Sequence, residues 1–349
     1  MKVLFFYNGI RSQTMKDFQE GKGHGDHMDG MPQLRKLGID SDFQELEKVY
    51  PEWICKIIRK YVPIYFVQVP IFWKIFGYDI IVSSSAFGIQ TLYSIFKLFG
   101  LRRPKWVMLD WSLTGLLNKG GLSSRILKWT TNHAGGIVTI GKKEEDILKK
   151  LFPGKPIKFI PLGTNTNFSK PQNVSEENQI ITVGKDPARD YATLFAACDG
   201  LGVKLIATSS RKLSMMSKVP DFVSSKYYTD SELLTEYSKS KIVVLPLDIK
   251  DGLNETAGIS TLVQAMAMGK AIIITRTDTT ESYITHGENG FLVKTGDVEE
   301  MRFLIVRLLK NDKERIEIGR KARGFILKEC TSEIFVERLA KFFTKVNKS

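Results

Sequence analysis

Short apolar runs rich in Val, Ile and Phe recur along the chain, each followed by a longer amphipathic stretch, and this alternation runs through twice. In the first half the runs fall at 2–7, 78–83, 105–109, 135–140 and 157–161. In the second half they fall at 179–183, 203–207, 241–245, 271–275 and 291–293. Most show no polar–apolar alternation, which marks strands covered on both faces by helices rather than wetted on one. Helical segments lie between them, at 142–151, 190–198, 230–238, 258–268 and 298–309. Strand and helix in strict turn, twice over, predict an α/β chain with two doubly wound Rossmann-like domains. Turn formers crowd residues 161–171 and mark the seam. We therefore divide the chain into domains at 1–165 and 166–330. A closing helix at 331–349 carries the apolar stripe Ile334, Phe335, Leu339, Phe342 and Phe343, a face that must pack on something.

The 349 residues suit two domains, and a hydrophobic fraction of 43% excludes global disorder. Cys55, Cys198 and Cys330 lie far apart. They fit neither a disulfide framework nor a zinc knuckle, so a reducing, cytoplasmic setting is expected. The opening apolar run is too short for a signal peptide. The longest charge-free windows, 61–73 and 80–96, are broken by prolines or serines, whereas a membrane span needs about 20 mostly apolar residues. Charge is uneven: residues 1–168 hold 24 Lys and Arg against 14 Asp and Glu, and residues 169–349 hold 27 against 24. A basic half beside a near-neutral half suits contact with something anionic, and it suits an ordinary solvated basic surface equally.

The segment from Gly258 to Thr275 is the most informative. Gly258 opens a helix with a small apolar buried face, and Gly269 ends it before a β-branched strand. The first amides, around Gly258, Ile259 and Ser260, are donors at the positive end of a helix and suit a phosphate or diphosphate. Four motifs, one of them in two parts, then occur. Gln264-Ala-Met-Ala-Met-Gly-Lys is followed by His286-Gly-Glu-Asn-Gly-Phe-Leu-Val. Ile160-Pro-Leu-Gly-Thr-Asn-Thr-Asn-Phe lies upstream, as does Ile181-Thr-Val-Gly-Lys-Asp-Pro-Ala-Arg-Asp-Tyr. Met31-Pro-Gln-Leu-Arg-Lys-Leu-Gly lies near the start. Together they resemble the family 4 glycosyltransferases of the GT-B fold, in that family's order, strongly over residues 157–297 and weakly over 40–130.

The resemblance implies a cleft between two Rossmann-like domains, a nucleotide-sugar donor on the C-terminal one, an acceptor on the N-terminal one, and a last helix returning to the N-terminal domain. It implies a retaining hexosyltransferase of the EC 2.4 type in glycan or polysaccharide biosynthesis, with no cofactor and no metal. Cations and amides must meet the leaving diphosphate, and a carboxylate near the sugar meets its oxocarbenium character. Lys185 and Arg189, just past a strand end, take the diphosphate with Gly258, Ile259 and Ser260 opposite. An exposed ion pair of Arg189 with Asp186 or Asp190 is the competing reading. The family shows a glutamate, seven residues and a second glutamate here. This chain has Glu255 and, one residue late, Gln264, whose amide can still serve ribose hydroxyls. Glu255 is the donor-side carboxylate, with Asp248 or Asp251 as competitors.

In the first half, Gly9 begins a long Gly- and His-containing loop running to Gly30, with the low bulk that close approach to a ligand needs. His24 or His27 could reach donor phosphate or acceptor hydroxyl, and Asp110, at a carboxyl strand end, is an acceptor-side group by the resemblance. The region from Tyr227 to Leu233 looks like the family's base loop, without choosing among bases. Residues 50–106 mix Trp53, Tyr61, Tyr65, Phe72 and Trp73 with Lys56, Arg59, Lys60 and Arg102. They suit either peripheral membrane contact or a core with a wet basic rim; membrane contact would point to a lipid-linked acceptor. A different GT-B activity, a catalytically inactive donor-binding partner subunit and a basic nucleic-acid binder are the rivals. No recognition-helix or RNA-binding signature supports the last, so no nucleic-acid partner is expected.

Overall fold

The computed structural model describes residues 1–63, 66–83, 87–111, 113–208, 210–249 and 255–348. Asp251 and Tyr65 lie outside the described residues. The chain forms two compact units. The first comprises Met1–Glu20, Gly25–Ile160 and Glu333–Ser349, and the second Gly21–His24 and Pro161–Ser332.

The first unit holds β1 (Lys2–Phe6), α1 (Ser12–Gln19), α2 (Met31–Leu34), β2 (Asp40–Gln44), α3 (Glu52–Tyr61), β3 (Ile80–Ser83), α4 (Phe87–Leu98) and β4 (Lys105–Asp110). It continues with α5 (Leu113–Asn118), α6 (Gly121–Thr131), β5 (Gly136–Thr139), α7 (Lys142–Leu151) and β6 (Ile157–Phe159). Its six strands are all parallel, in the order β2-β1-β3-β4-β5-β6. The second unit holds β7 (Gln179–Thr182), α8 (Tyr191–Cys198), β8 (Lys204–Thr208), α9 (Arg211–Ser214), β9 (Val223–Lys226), α10 (Asp230–Lys239) and β10 (Ile242–Leu245). Then come α11 (Ile259–Ala267), β11 (Ala271–Thr275), β12 (Phe291–Val293), α12 (Val298–Lys310) and α13 (Asp312–Glu329). Its sheet is also parallel, ordered β12-β11-β10-β7-β8-β9. Both are doubly wound α/β units, as the alternation of apolar runs predicts. Central strands such as β3, β5, β10 and β11 are buried at every position.

Two strands were not visible as apolar runs. β2 reads Asp-Ser-Asp-Phe-Gln and β9 reads Val-Ser-Ser-Lys, and each closes one edge of its sheet. An edge strand meets water along one side and tolerates polar residues that a central strand cannot. The stretch between Gly9 and Gly30, expected as one loop, contains α1, and α1 buries no residue. Helix starts are set by local chemistry. The Thr229 hydroxyl accepts from the Glu232 amide while the Glu232 carboxylate accepts from the Thr229 amide, and Asp297 and Asn311 cap α12 and α13. Each such cap is worth about 1 kcal/mol.

The last helix, α14 (Ser332–Lys348), belongs from Glu333 onward to the first unit. Phe343 meets Phe5 edge-on at 6.5 Å between ring centres. Val346 and Phe342 fill the space a side chain on Gly136 would occupy, and Val336 does the same at Gly30. The apolar stripe read from the sequence thus closes the face of the first sheet opposite α4. The same economy of space holds α13 against the turn after α11. A Cβ on Gly319 would sit 2.0 Å from the Gly269 carbonyl oxygen, whereas one on Gly324 of the same helix would meet nothing within 4 Å. Gly319→Ala is therefore expected to destabilise the second unit by about 1–3 kcal/mol. Gly324→Ala is expected to stabilise it by about 0.5–1 kcal/mol through helix propensity. Urea unfolding of the two variants beside the parent checks both signs.

Candidate functional site

The loop from β7 to α8 carries the chemistry. The Gly184 amide donates to Thr208 Oγ1 at 2.9 Å, and the Tyr191 hydroxyl donates to the Gly184 carbonyl at 3.3 Å. Asp186 turns the chain by accepting from the Ala188 amide at 2.7 Å, and the Asp186 carbonyl accepts from the Arg189 amide at 3.1 Å. Residues 188–190 then lie along the strand end after β10. Asp248 N donates to Ala188 O at 2.7 Å, Asp190 N donates to Pro246 O at 3.1 Å, and Arg189 bridges Leu247. The Asp190 carboxylate is committed to the Thr193 amide and hydroxyl at the start of α8.

This clamp drives the Arg189 side chain inward. Arg189 is only 1% exposed. Its guanidinium makes one long contact, Nη2 to Thr261 Oγ1 at 3.4 Å, while Nε and Nη1 have no hydrogen-bond partner. No carboxylate of the described residues lies within ion-pair distance of it, so neither Asp186 nor Asp190 neutralises it. Desolvation pulls its pKa below the usual arginine value, with Tyr191 and Asp186 acting weakly the other way. A buried cation left without a counter-charge is costly by several kcal/mol. Two glycines make room for it. A Cβ on Gly184 (φ 130°) would lie 2.4 Å from Nη2, and one on Gly258 (φ 79°) would lie 3.1 Å from Nη1. Tyr237, fully buried with its hydroxyl unpartnered, is near enough to feel the Arg189 charge.

Gly258 is also the N-cap residue of α11 and offers no side-chain cap. Of the three amides expected there, Ile259 donates to Thr256 O at 3.4 Å, so the open donors are those of Gly258 and Ser260. The guanidinium and the positive end of a nine-residue helix therefore converge on one place. Lys185, exposed at the rim, sits over the Tyr227 ring at 4.7 Å. Tyr228 beside it is buried, and burial pushes its hydroxyl up to about 12. Gln264, 7% exposed on α11, spends no side-chain hydrogen bond on the described residues. Glu255 lies in the turn before α11, where its carbonyl accepts from Thr277 Oγ1 at 2.9 Å.

Four candidates remain: His24, His27, Asp110 and Gly9. His24, in the segment counted with the second unit, lies 3.6 Å from the Asp230 carboxylate, with its ring 6.3 Å from that of Phe168. His27 is exposed. Asp110 and Gly9 belong to the first unit. Asp110 is 3% exposed, and its Oδ1 accepts from the Leu113 amide at 2.7 Å, turning β4 into α5. Among the described residues no group of three His, Cys, Asp or Glu side chains could hold a metal ion. Thr261 and Tyr237 were not singled out from the sequence, because only the fold brings them to Arg189. Gly184→Ala is expected to push the guanidinium out of its slot and to destabilise the second unit by about 1–3 kcal/mol in urea unfolding.

Comparison with known proteins agrees with this geometry. Residues 220–325 match the family described as glycosyl transferases group 1. The glycosyltransferase MJ1069 of Methanocaldococcus jannaschii is 31% identical over 87 residues, an alignment covering 25% of this chain and 22% of that one. Sucrose-phosphate synthase from Thermosynechococcus elongatus superposes with a TM-score of 0.72 at 14% identity, over 99% of each chain. HepE of Anabaena, solved with UDP-glucose, superposes with a TM-score of 0.68 at 14% identity, over 99% of this chain and 100% of that one. The chain is thus similar in fold to these solved structures, and its segment around α11 lies within the match to the group 1 glycosyl transferases.

Proposed function

We propose that the protein transfers a sugar from a nucleoside-diphosphate sugar to a saccharide or lipid-linked glycan, with retention at the sugar's anomeric carbon. The observation that carries this is the Arg189 guanidinium, buried without a counter-charge between Gly184 and the open start of α11. A diphosphate supplies the missing charge, and it becomes more negative as the bond to the sugar breaks. Donors fixed in place before the reaction favour that charge without reorganising, which lowers the barrier. Lys185 adds a second cation at the rim, and the amides of Gly258 and Ser260 a helix dipole. With two cations so placed, the diphosphate needs no divalent ion, and turnover is expected to persist in chelator. HepE has been solved with UDP and with UDP-glucose, so a uridine nucleotide is our first candidate donor. The Gln264 amide is free to meet the ribose hydroxyls. Glu255 is the carboxylate assigned to the sugar side, and Asp110, His24 and Gly9 remain acceptor-side or donor-contact assignments.

Gln264 stands one residue past the position where the family has a second glutamate, and this favours one other reading, a donor-binding subunit without turnover. Product formation separates the two. Hydrolysis or transfer of UDP-sugars that falls at least about tenfold in Glu255→Gln supports catalysis through that carboxylate, and unchanged turnover removes Glu255 from the assignment.

Thermal unfolding with UDP, GDP and ADP tests donor binding directly. A ligand held only by the native state stabilises it by about 2.7 kcal/mol at a hundredfold excess over its dissociation constant. Arg189→Met is expected to raise the midpoint of the free protein, because a buried unpaired charge becomes an apolar side chain. The same variant should lose the nucleotide-induced shift. A free protein destabilised by Arg189→Met, or an undiminished UDP shift, would refute the role given to Arg189.

A further inference from the structure

The outward faces of the first unit's helical layer are not those of a solvated protein. The steps from β2 to β3, β3 to β4 and β4 to β5 all run in one direction across the sheet. With right-handed crossovers, α3, the 3-10 turns at Val69–Ile75, α4 and α6 share one face. Contacts join them. Phe72 and Phe76 pack on Phe96 of α4 at 6.4 and 5.9 Å between ring centres. Trp129 of α6 stacks edge-on against His133 at 4.7 Å. Burial holds the His133 ring below its usual pKa, aided by Arg103, Lys97 and Lys155. Helices α4 and α6 pack against each other.

What they present together is apolar and basic. Leu98 and Phe99 are 78% and 70% exposed, and Leu122, Ile126 and Trp129, at helical spacing along α6, are 73%, 52% and 53% exposed. The core takes the opposite sides of the same helices, Leu92, Phe96 and Ser124 among them. Between residues 80 and 141 the chain has seven Lys and Arg and one acid, Asp110, which is buried. Lys97, Arg102, Lys119, Arg125 and Lys128 are exposed. Large apolar side chains exposed together on neighbouring helices mark a contact site. Its residue types choose the partner. Aliphatic Leu98, Leu122 and Ile126 gain by leaving water for hydrocarbon but have no face to stack on a nucleic-acid base. Cations interleaved with them match anionic headgroups.

We propose that this outer face of the first unit, centred on the end of α4 and on α6, docks on an anionic lipid bilayer. No helix of the described residues is long and apolar enough to cross a membrane, so the contact is peripheral, with Phe99 and Trp129 entering the interface and the cations bound to headgroups. The proposal includes part of the basic, aromatic region read from the sequence at 50–106 and extends it to α6. It stands apart from the donor reading, since none of its residues belongs to the second unit.

The full chain is spun with phosphatidylcholine vesicles, with and without phosphatidylglycerol, over a range of salt. Co-sedimentation only with phosphatidylglycerol, weakening as salt rises, is the expected result. Phe99→Ser with Trp129→Ser should weaken partitioning at least about tenfold, and so should Arg102→Glu with Arg125→Glu and Lys128→Glu. Both variants should keep the parent unfolding midpoint and any UDP-induced shift, which separates failure of docking from failure of the donor site. Absence of vesicle binding by the parent overturns the proposal. So does binding untouched by both sets of substitutions, or retention on duplex DNA in preference to vesicles at equal salt.

Discussion

Every central strand in both sheets is buried on two faces, and that burial dictates how the chain must travel between them. A parallel strand cannot return by a tight turn, so each must hand the chain to a helix that covers one face before the next strand begins. The carboxyl ends of the strands are where the chain leaves the sheet, and there the backbone has room to turn without disturbing the core. The loops past β7 and β10 meet at such an edge, where the hydrogen bonds between residues 188–190 and 246–248 lock them together.

That lock explains how a guanidinium comes to be held out of water with no carboxylate of the described residues beside it. The fold supplies rigidity, two glycines supply space, and the free energy lost by hiding the charge is offset by packing elsewhere in the second unit. Lys270 and Arg315, two other buried cations of this unit, are matched by Glu176, at 2.9 and 2.8 Å. Arg189, at the mouth of α11, has no such partner among the described residues.

How much of this could be read from residues alone depends on the same physics. The uninterrupted apolar runs revealed ten strands, because burial on two faces leaves a signature in composition. Asp40–Gln44 and Val223–Lys226 left none, since at a sheet edge hydrogen bonding alone recruits them. Gly258, read as the residue that opens a helix, is the N-cap of α11. Its donors differ in detail, because the Ile259 amide turns back to Thr256, a matter of loop geometry that residue identity does not encode. Arg189 could be singled out from its place in a motif, but whether it pairs with Asp186 or stands alone is a question of which side chains the loop turns inward. Thr261 and Tyr237 were invisible for that reason too. In the region of residues 50–106, Cys55 and Ile75 are buried and Trp53, Ile57 and Trp73 are exposed, a partition that residue type alone does not give.

The return of α14 to the first sheet gives the chain an order in time. During synthesis the residues of β1 to β6 emerge first, yet Phe5 and the surface around Gly136 stay uncovered until Phe342, Phe343 and Val346 have been made. The second unit, apart from its short Gly21–His24 segment, is one continuous stretch from Pro161 to Ser332 and can be assembled in the interval. The part of the protein translated first is thus the part completed last, and for that interval a nascent chain carries an open apolar sheet face that a ribosome-bound chaperone would find.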